Sequence, residues 1–328
     1  MKTLLLGSDD VTESIDIEDA IDAVESAFEA HGKGEDEMPA KTYIDLPQYN
    51  GDFRAMPAFV DDSAGVKWVN SHPDNPEKHG LPTVMGVMIY SDPETAYPLA
   101  VIDGTTLTKY RTGAAAGVAS KYLAQSDSDS LGLVGAGAQA HTQLSAVSSV
   151  FGIEEVIVSD IDEDAARDFV EEVRDEYESI EARVGSAEEA AGCDIVSTTT
   201  PSREPVIQSN WVSEGTHINA MGADAEGKQE LDPEILTDPD TKVVIDDWEQ
   251  CSHSGEINVP YSEGLIDRDD IYADLGSIVA GDTDGRSGDE VTVFDSTGLA
   301  IQDVATSRVV YENADEAGIG TEFGLVSD

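Results

Sequence analysis

The sequence predicts an α/β protein: a doubly wound parallel-sheet domain in the middle of the chain, and a discontinuous α+β domain made from its two ends. Three observations predict it. Strand and helix patterns alternate from about residue 131 to residue 246, the rhythm of βαβ units around a parallel sheet. Residues 38–104 read instead as successive strands parted by Asn50-Gly51, His72-Pro73-Asp74 and Asp92-Pro93, the pattern of a meander. A last helix, near residues 298–314, follows the alternating region and is expected to pack back on the first domain. The expected boundaries are 1–115 with 300–328 for the outer domain, and 116–299 for the central one.

The elements follow in order. The apolar run in residues 1–7 reads as a strand. Asp16 is a good N-cap for a helix over 17–31, where Ile17, Ala20, Ile21, Val24, Ala27 and Phe28 recur at helical spacing. Strands are expected at 40–46, 52–56, 65–70, 84–91 and 97–103, then a helix over 105–124 with an alanine-rich centre. The central strands are expected at 131–134, 155–159, 194–199, 215–220 and 242–246. The helix over 163–178 carries acids on a solvated face. Residues 277–289, rich in Gly, Asp and Ser, read as an exposed loop before a strand at 291–294.

Composition bounds the function. The 328 residues hold 68 Asp+Glu against 18 Lys+Arg, a formal charge of −50. Such a charge opposes nucleic acid and anionic membranes. The acids are dispersed, so they describe a folded surface rather than a tail. At molar salt the Debye length is about 3 Å and self-repulsion is screened; a halophile's protein is the expectation. Cys193 and Cys251 make no disulfide framework, and Cys251-Ser252-His253 lacks a second pair to form a metal site. The first apolar run is too short for a signal peptide, and no run of about 18 apolar residues is found. A cytoplasmic protein is expected, with no metal, no nucleic acid and no membrane among its partners.

Residues 131–140 read Leu-Gly-Leu-Val-Gly-Ala-Gly-Ala-Gln-Ala, a G-x-G-x-x-A run directly after an apolar strand. The next strand, Val156-Ile157-Val158-Ser159, ends at Asp160, at the separation of about 20 residues that marks a Rossmann dinucleotide site. Gly135 allows the tight turn, Gly137 lets the backbone approach a pyrophosphate, and Ala140 keeps the helix close to the sheet. Asp160 accepts from a ribose 2′-hydroxyl and repels a 2′-phosphate, so NAD is expected rather than NADP.

Three further clusters carry polar groups beside apolar strands. Arg54-Ala55-Met56-Pro57 and Lys67-Trp68-Val69-Asn70-Ser71-His72-Pro73 place two cations on neighbouring strands; an arginine fork suits a carboxylate. The strand beginning His217-Ile218-Asn219-Ala220 ends at Met221-Gly222-Ala223-Asp224, where a doubly wound sheet holds its ligands, so Asp224 is a candidate acid/base. Arg111, in Tyr110-Arg111-Thr112-Gly113, stands on a small-residue helix and could offset pyrophosphate charge.

Together these segments, with Gly227-Lys228 and Phe294-Asp295-Ser296-Thr297-Gly298, resemble the ornithine cyclodeaminase/μ-crystallin family. The resemblance implies a homodimer with a central Rossmann domain and a substrate and dimerisation domain built from both chain ends. It implies that Lys67 and Arg54 hold a small amino acid's carboxylate, that Asp224 and Lys67 are catalytic, and that Thr297 lines the substrate pocket. Cofactor contacts are implied at Thr83, Arg111, Gly135, Gly137, Ala138, Gln139, Asp160, Thr200, Met221, Lys228 and Ser296. Arg54 stands where cyclodeaminases carry a glutamate suited to a distal ammonium. The implied activity is therefore reversible NAD-dependent deamination of L-alanine to pyruvate and ammonia, as in archaeal dehydrogenase members. The alternatives are ornithine cyclisation to proline, reduction of a cyclic ketimine, and a non-catalytic crystallin-like NAD-binding role.

Overall fold

The computed structural model describes residues 2–326 and divides the chain into two compact units. One runs to Arg111 and resumes at Leu299; the other is Thr112–Gly298. The first division therefore falls inside a continuous helix, a few residues ahead of the expected 115/116.

The first unit begins β1 (Thr3–Leu6), α1 (Ser8–Ser14), α2 (Ile17–Gly32), β2 (Thr42–Leu46), β3 (Gly51–Val60), β4 (Ser63–Ser71), α3 (Asn75–His79), β5 (Val84–Ser91) and β6 (Pro98–Asp103). Helix α4 (Gly104–Leu123) crosses the division. The second unit holds β7 (Ser130–Val134), α5 (Ala140–Val150), β8 (Glu155–Ser159), α6 (Glu163–Glu176), β9 (Glu181–Val184), α7 (Ala187–Ala191), β10 (Ile195–Thr198) and β11 (His217–Ala220). It continues through α8 (Pro233–Thr237), β12 (Thr241–Ile245), α9 (Trp248–Ser254), α10 (Asn258–Ser262), β13 (Ala273–Asp274), α11 (Leu275–Val279) and β14 (Val291–Asp295). The chain then returns to the first unit as α12 (Ala300–Ala317) and β15 (Thr321–Phe323). The region read as a loop over 277–289 thus opens with the end of a short helix.

In the first unit the sheet order is β15-β1-β6-β5-β4-β3-β2. Strands β2 to β6 form the antiparallel meander, and β1 lies parallel to β6. Period-2 alternation in β3 sends Arg54, Met56, Ala58 and Val60 to the buried face, on which α12 packs. The opposite face stays open: Ile44, Trp68, Val87 and Ile89 are 47%, 43%, 46% and 41% exposed, and Phe53 stacks on Trp68. Register aligns Trp68 with Ala55 and Val87, and Val66 with Ile89, so these side chains form one apolar patch.

The second unit is an all-parallel sheet of order β13-β12-β14-β11-β10-β7-β8-β9. Its strands are apolar on both faces, as a sheet covered by helices requires. One core cluster gathers Leu131, Leu133, Leu144, Phe169 and Val170; another gathers Val196, Ile218, Leu231, Val243 and Val293. Strand order reverses direction at β7/β10, and beyond that switch point the carboxyl ends diverge into a crevice.

Candidate active site

Strand β7 ends at Gly135, whose φ is +104°, a conformation side chains with a Cβ avoid. Ala136 donates its N–H to Asp160 Oδ2 at 2.7 Å, so the acid at the end of β8 ties down the glycine turn. Its other oxygen accepts from the Asp162 N–H at 2.8 Å. Each carboxylate oxygen has a second lone pair, which leaves Asp160 able to accept from a ribose hydroxyl. No atom lies within 4 Å of where a Gly137 Cβ would stand, and Gly137 and Ala138 are exposed. Gln139 then precedes α5 without a side-chain cap, and the helix enters with Ala140 fully buried. An exposed glycine turn at a helix amino terminus is a cradle for a pyrophosphate. Ile161, fully exposed beside Asp160, adds an apolar ledge of the kind an adenine ring covers. These residues fit a bound dinucleotide.

Beyond the neighbouring strands the loops are held from beneath by buried carboxylates. Glu230 accepts from Thr198 Oγ1 at 2.7 Å, the Thr200 N–H at 2.6 Å and the Gly222 N–H at 2.8 Å, joining the carboxyl end of β10 to that of β11. Glu256 accepts from the Glu230 and Leu231 N–H groups at 3.0 and 2.7 Å. Asp295 accepts from the Glu256 and Ile257 N–H groups at 2.8 and 3.1 Å. Asp246, at the end of β12, accepts from the Thr297 and Gly298 N–H groups at 2.7 and 2.8 Å and from Ser296 Oγ at 3.2 Å. Burial pushes the carboxyls of Glu230 and Glu256 upward and that of Asp295 up to about 7. The loops so fixed carry the expected residues Thr200, Met221, Asp224, Ser296 and Thr297. Asp224 is ion-paired with Lys228, four residues on in the same loop, and its side chain remains 31% exposed.

The first unit holds the other expected residues. Lys67 is 1% exposed. Its Nζ donates to Asp303 Oδ1 on α12 at 2.7 Å and to Thr108 Oγ1 on α4 at 3.2 Å. Arg111 Nε stands 3.3 Å from the same Oδ1, and its Nη1 donates to Gln302 Oε1 at 3.2 Å. Arg54 binds Asp52 through two parallel hydrogen bonds of 3.0 and 2.9 Å. Register sets Lys67 opposite Met56 and Arg54 opposite Val69, so both cations share the face under α12. Burial, reinforced by the charges of Arg111 and Lys41, pushes the Lys67 ammonium down to about 7 against the pull of Asp303. Four of the chain's 18 cations act in this region. Thr83 stands in the turn before β5, its carbonyl accepting the His72 N–H at 2.8 Å.

The expected residues thus gather into two sets, one in each unit. Those missed by the sequence reading are the anions behind them: Asp303, Asp52, Asp246 and Glu230. Among 68 acids only their partners in the fold distinguish them, and that is a tertiary property. His217, between Thr292 and Asn219 at 2.9 and 3.1 Å, is a core histidine pushed down to about 3 by burial. Cys193 and Cys251 are buried free thiols. Among the described residues no His/Cys/Asp/Glu group could hold a metal ion, and no helix is long and apolar enough to cross a membrane.

Known proteins share this fold. An alanine dehydrogenase of Archaeoglobus fulgidus is 52% identical over 324 residues, 98% of each chain. An archaeal alanine dehydrogenase dimer solved with NAD superposes with a TM-score of 0.95 at 52% identity, covering 99% of this chain and all of that one. The Thermococcus litoralis Δ1-pyrroline-2-carboxylate reductase, solved with NADH and L-proline, gives 0.93 at 41% identity, covering 97% and 99%. The sequence pattern of one family matches residues 1–318: the chain belongs to the ornithine cyclodeaminase/mu-crystallin family.

Proposed function

We propose that this chain is an NAD-dependent L-alanine dehydrogenase that works as a homodimer. The observation that carries the reading is the buried cluster of Lys67 and Arg111 on one carboxylate, Asp303. Two cations sharing one anion leave a positive charge to be met by an incoming carboxylate. Arg54 beside that cluster repels a distal ammonium, which favours a short, uncharged substrate side chain over ornithine. The 52% identity with an alanine dehydrogenase over almost the whole chain supports the same substrate.

The turn from Gly135 to Ala140 and Asp160 would hold NAD, which would supply the hydride acceptor for the Cα of the neutral amine form of alanine. The resulting iminium keeps its carboxylate on Lys67 and Arg54. Arg111, expected at the cofactor, sits on the same anion as Lys67, and its charge serves the substrate carboxylate as well. Asp224 takes a proton from water as the oxygen adds to the imine carbon, returns it to nitrogen as the C–N bond breaks, and accepts the hydroxyl proton as the carbonyl forms, releasing it to solvent. Pyruvate and ammonia leave. Lys228, paired with Asp224, holds that carboxylate in place.

The dimer reading is supported by the apolar face of the first unit's sheet. Four large side chains there are more than two-fifths exposed, an arrangement a second copy covers.

The test is a substrate panel in concentrated KCl. With NAD, alanine is expected to give NADH and ammonia, and ornithine neither. Faster NADH consumption with a cyclic imine than with pyruvate plus ammonium would reassign the chain to the reductase chemistry of its Thermococcus relative.

A further inference from the structure

We propose that Asp303 is the positioning residue that keeps Lys67 cationic and aimed at a substrate carboxylate, without itself touching substrate. The inference rests on the alanine dehydrogenase reading and adds what holds its carboxylate site together.

Asp303 is fully buried on α12. One of its oxygens serves both cations, Lys67 at 2.7 Å and Arg111 at 3.3 Å. The other oxygen has no hydrogen-bond partner in the protein, and neither have Arg111 Nε, Gln302 Nε2 or Thr306 Oγ1 beside it. This carboxylate is therefore not there to satisfy a backbone or cap a helix; its protein contacts are the two cations. Facing Lys67 are Asp303 from α12, Arg111 and Thr108 from α4, and Lys41 ahead of β2. Its cross-strand neighbours, Met56 and Met88, are uncharged. Asp303 is the one negative charge in that company. Burial, Arg111 and Lys41 all favour loss of the Lys67 proton; Asp303 alone opposes them. The hydroxyl of Thr108 and the amide of Gln302 carry no charge and cannot replace it.

The sign follows. Lys67 titrates near neutrality with Asp303 in place. With the charge removed, its proton leaves at lower pH, and at neutral pH the site presents a neutral amine to an anion. A carboxylate that merely filled space would lower stability and leave the pH midpoint of substrate binding where it was.

Pyruvate is the probe, because it carries a carboxylate and no amine that titrates. Its dissociation constant from the enzyme–NADH complex is measured by NADH fluorescence in molar KCl across a range of about pH 5 to 9, which brackets a group near neutrality. Asp303→Asn is expected to move the midpoint of the affinity loss down by at least about one pH unit, which is about tenfold in affinity on the falling limb. Asp303→Glu keeps the charge and is expected to keep the midpoint, whatever it does to absolute affinity. Lys67→Arg is expected to flatten the profile, since arginine does not titrate in this range. An Asp303→Asn enzyme with weaker binding but an unmoved midpoint overturns the proposal. So does a Lys67→Arg profile that retains the wild-type midpoint, and this second variant decides the matter if Asp303→Asn does not fold. Far-UV circular dichroism reports folding in every case. Failure of the wild-type complex to bind pyruvate at all overturns the alanine reading and this inference with it; a moved or unmoved midpoint speaks to Asp303 alone.

Discussion

Glu230 accepts the backbone N–H of Gly222 at 2.8 Å. With its remaining lone pairs it holds Thr198 and Thr200, so one buried side chain sets the spacing of two strand-end loops. Glu230→Ala leaves two backbone donors without their acceptor. The expected loss is about 3 kcal/mol, the size of a charge-assisted buried network. NAD affinity should fall with it, because Thr200 and Met221 sit on the freed loops. Thermal unfolding and NAD titration of the variant check this; unchanged values for both would make Glu230 a bystander.

Asp295 gives a pH dependence of defined sign. Burial raises its folded-state pKa to about 7, above the ordinary value of 3.8, so the native state binds the proton more tightly than the unfolded chain. Its contribution to stability is full at acidic pH and is lost as pH rises through the folded value. Glu230 and Glu256 are shifted in the same direction. Denaturant midpoints at constant high salt should therefore decline from mildly acidic to neutral pH. Asp295→Asn should flatten that slope, and a slope as steep as the wild type's would assign the effect to other groups.

Asp224→Asn removes the proposed proton acceptor and keeps the shape. Turnover of alanine should fall by at least about 100-fold, the lower range for loss of a general base, with NAD binding retained. Comparable rates in the variant would pass the proton step to another group. Loss of NAD binding as well would make the Asp224–Lys228 pair part of the cradle.

Much of this fold was legible because its signals are local. The glycine turn after β7 and the Asp160 that ends β8 stand at a fixed sequence separation, and the meander declares itself in alternation and in Asn50-Gly51. The strand from 84 to 91 was placed to the residue for that reason. Helix α1 was missed because seven residues are too few to establish a period, and α3, α7, α9, α10 and α11 escaped on the same ground. The cations were legible through scarcity, since each of 18 attracts notice. Their counter-ions were hidden by abundance. Asp303 reads like any acid on a helix until α12 is laid over β4, because what sets it apart is a neighbour 236 positions away.

The exposed face of the first unit's sheet should be covered in solution. Trp68→Glu places a charge at the centre of the patch formed with Phe53, Val87 and Ile89. If a second copy lies there, light scattering should show the wild type as a dimer and this variant as a monomer, because burying an unpaired charge costs several kcal/mol. A variant that remains dimeric would move the contact elsewhere on the surface.

The surface charge predicts a dependence on salt that the fold itself does not require. Helix α6 buries Ala166, Phe169, Val170 and Val173 and turns acids outward, with Arg167 engaging both Glu163 and Asp164. Few such cations exist to neutralise a net charge of −50, so at low ionic strength repulsion among like charges works against the compact state. At about 1 M salt the screening length falls to about 3 Å, less than the separation of most surface carboxylates. The unfolding midpoint should therefore rise steeply as KCl is raised from about 0.1 M to about 2 M, beyond what an excluded osmolyte gives at matched water activity. The gain should shrink at a pH low enough to protonate exposed carboxylates, because the repulsion being screened is then already gone. A salt response equal at both pH values would trace the stabilisation to apolar burial, and the acidic surface would have no part in it.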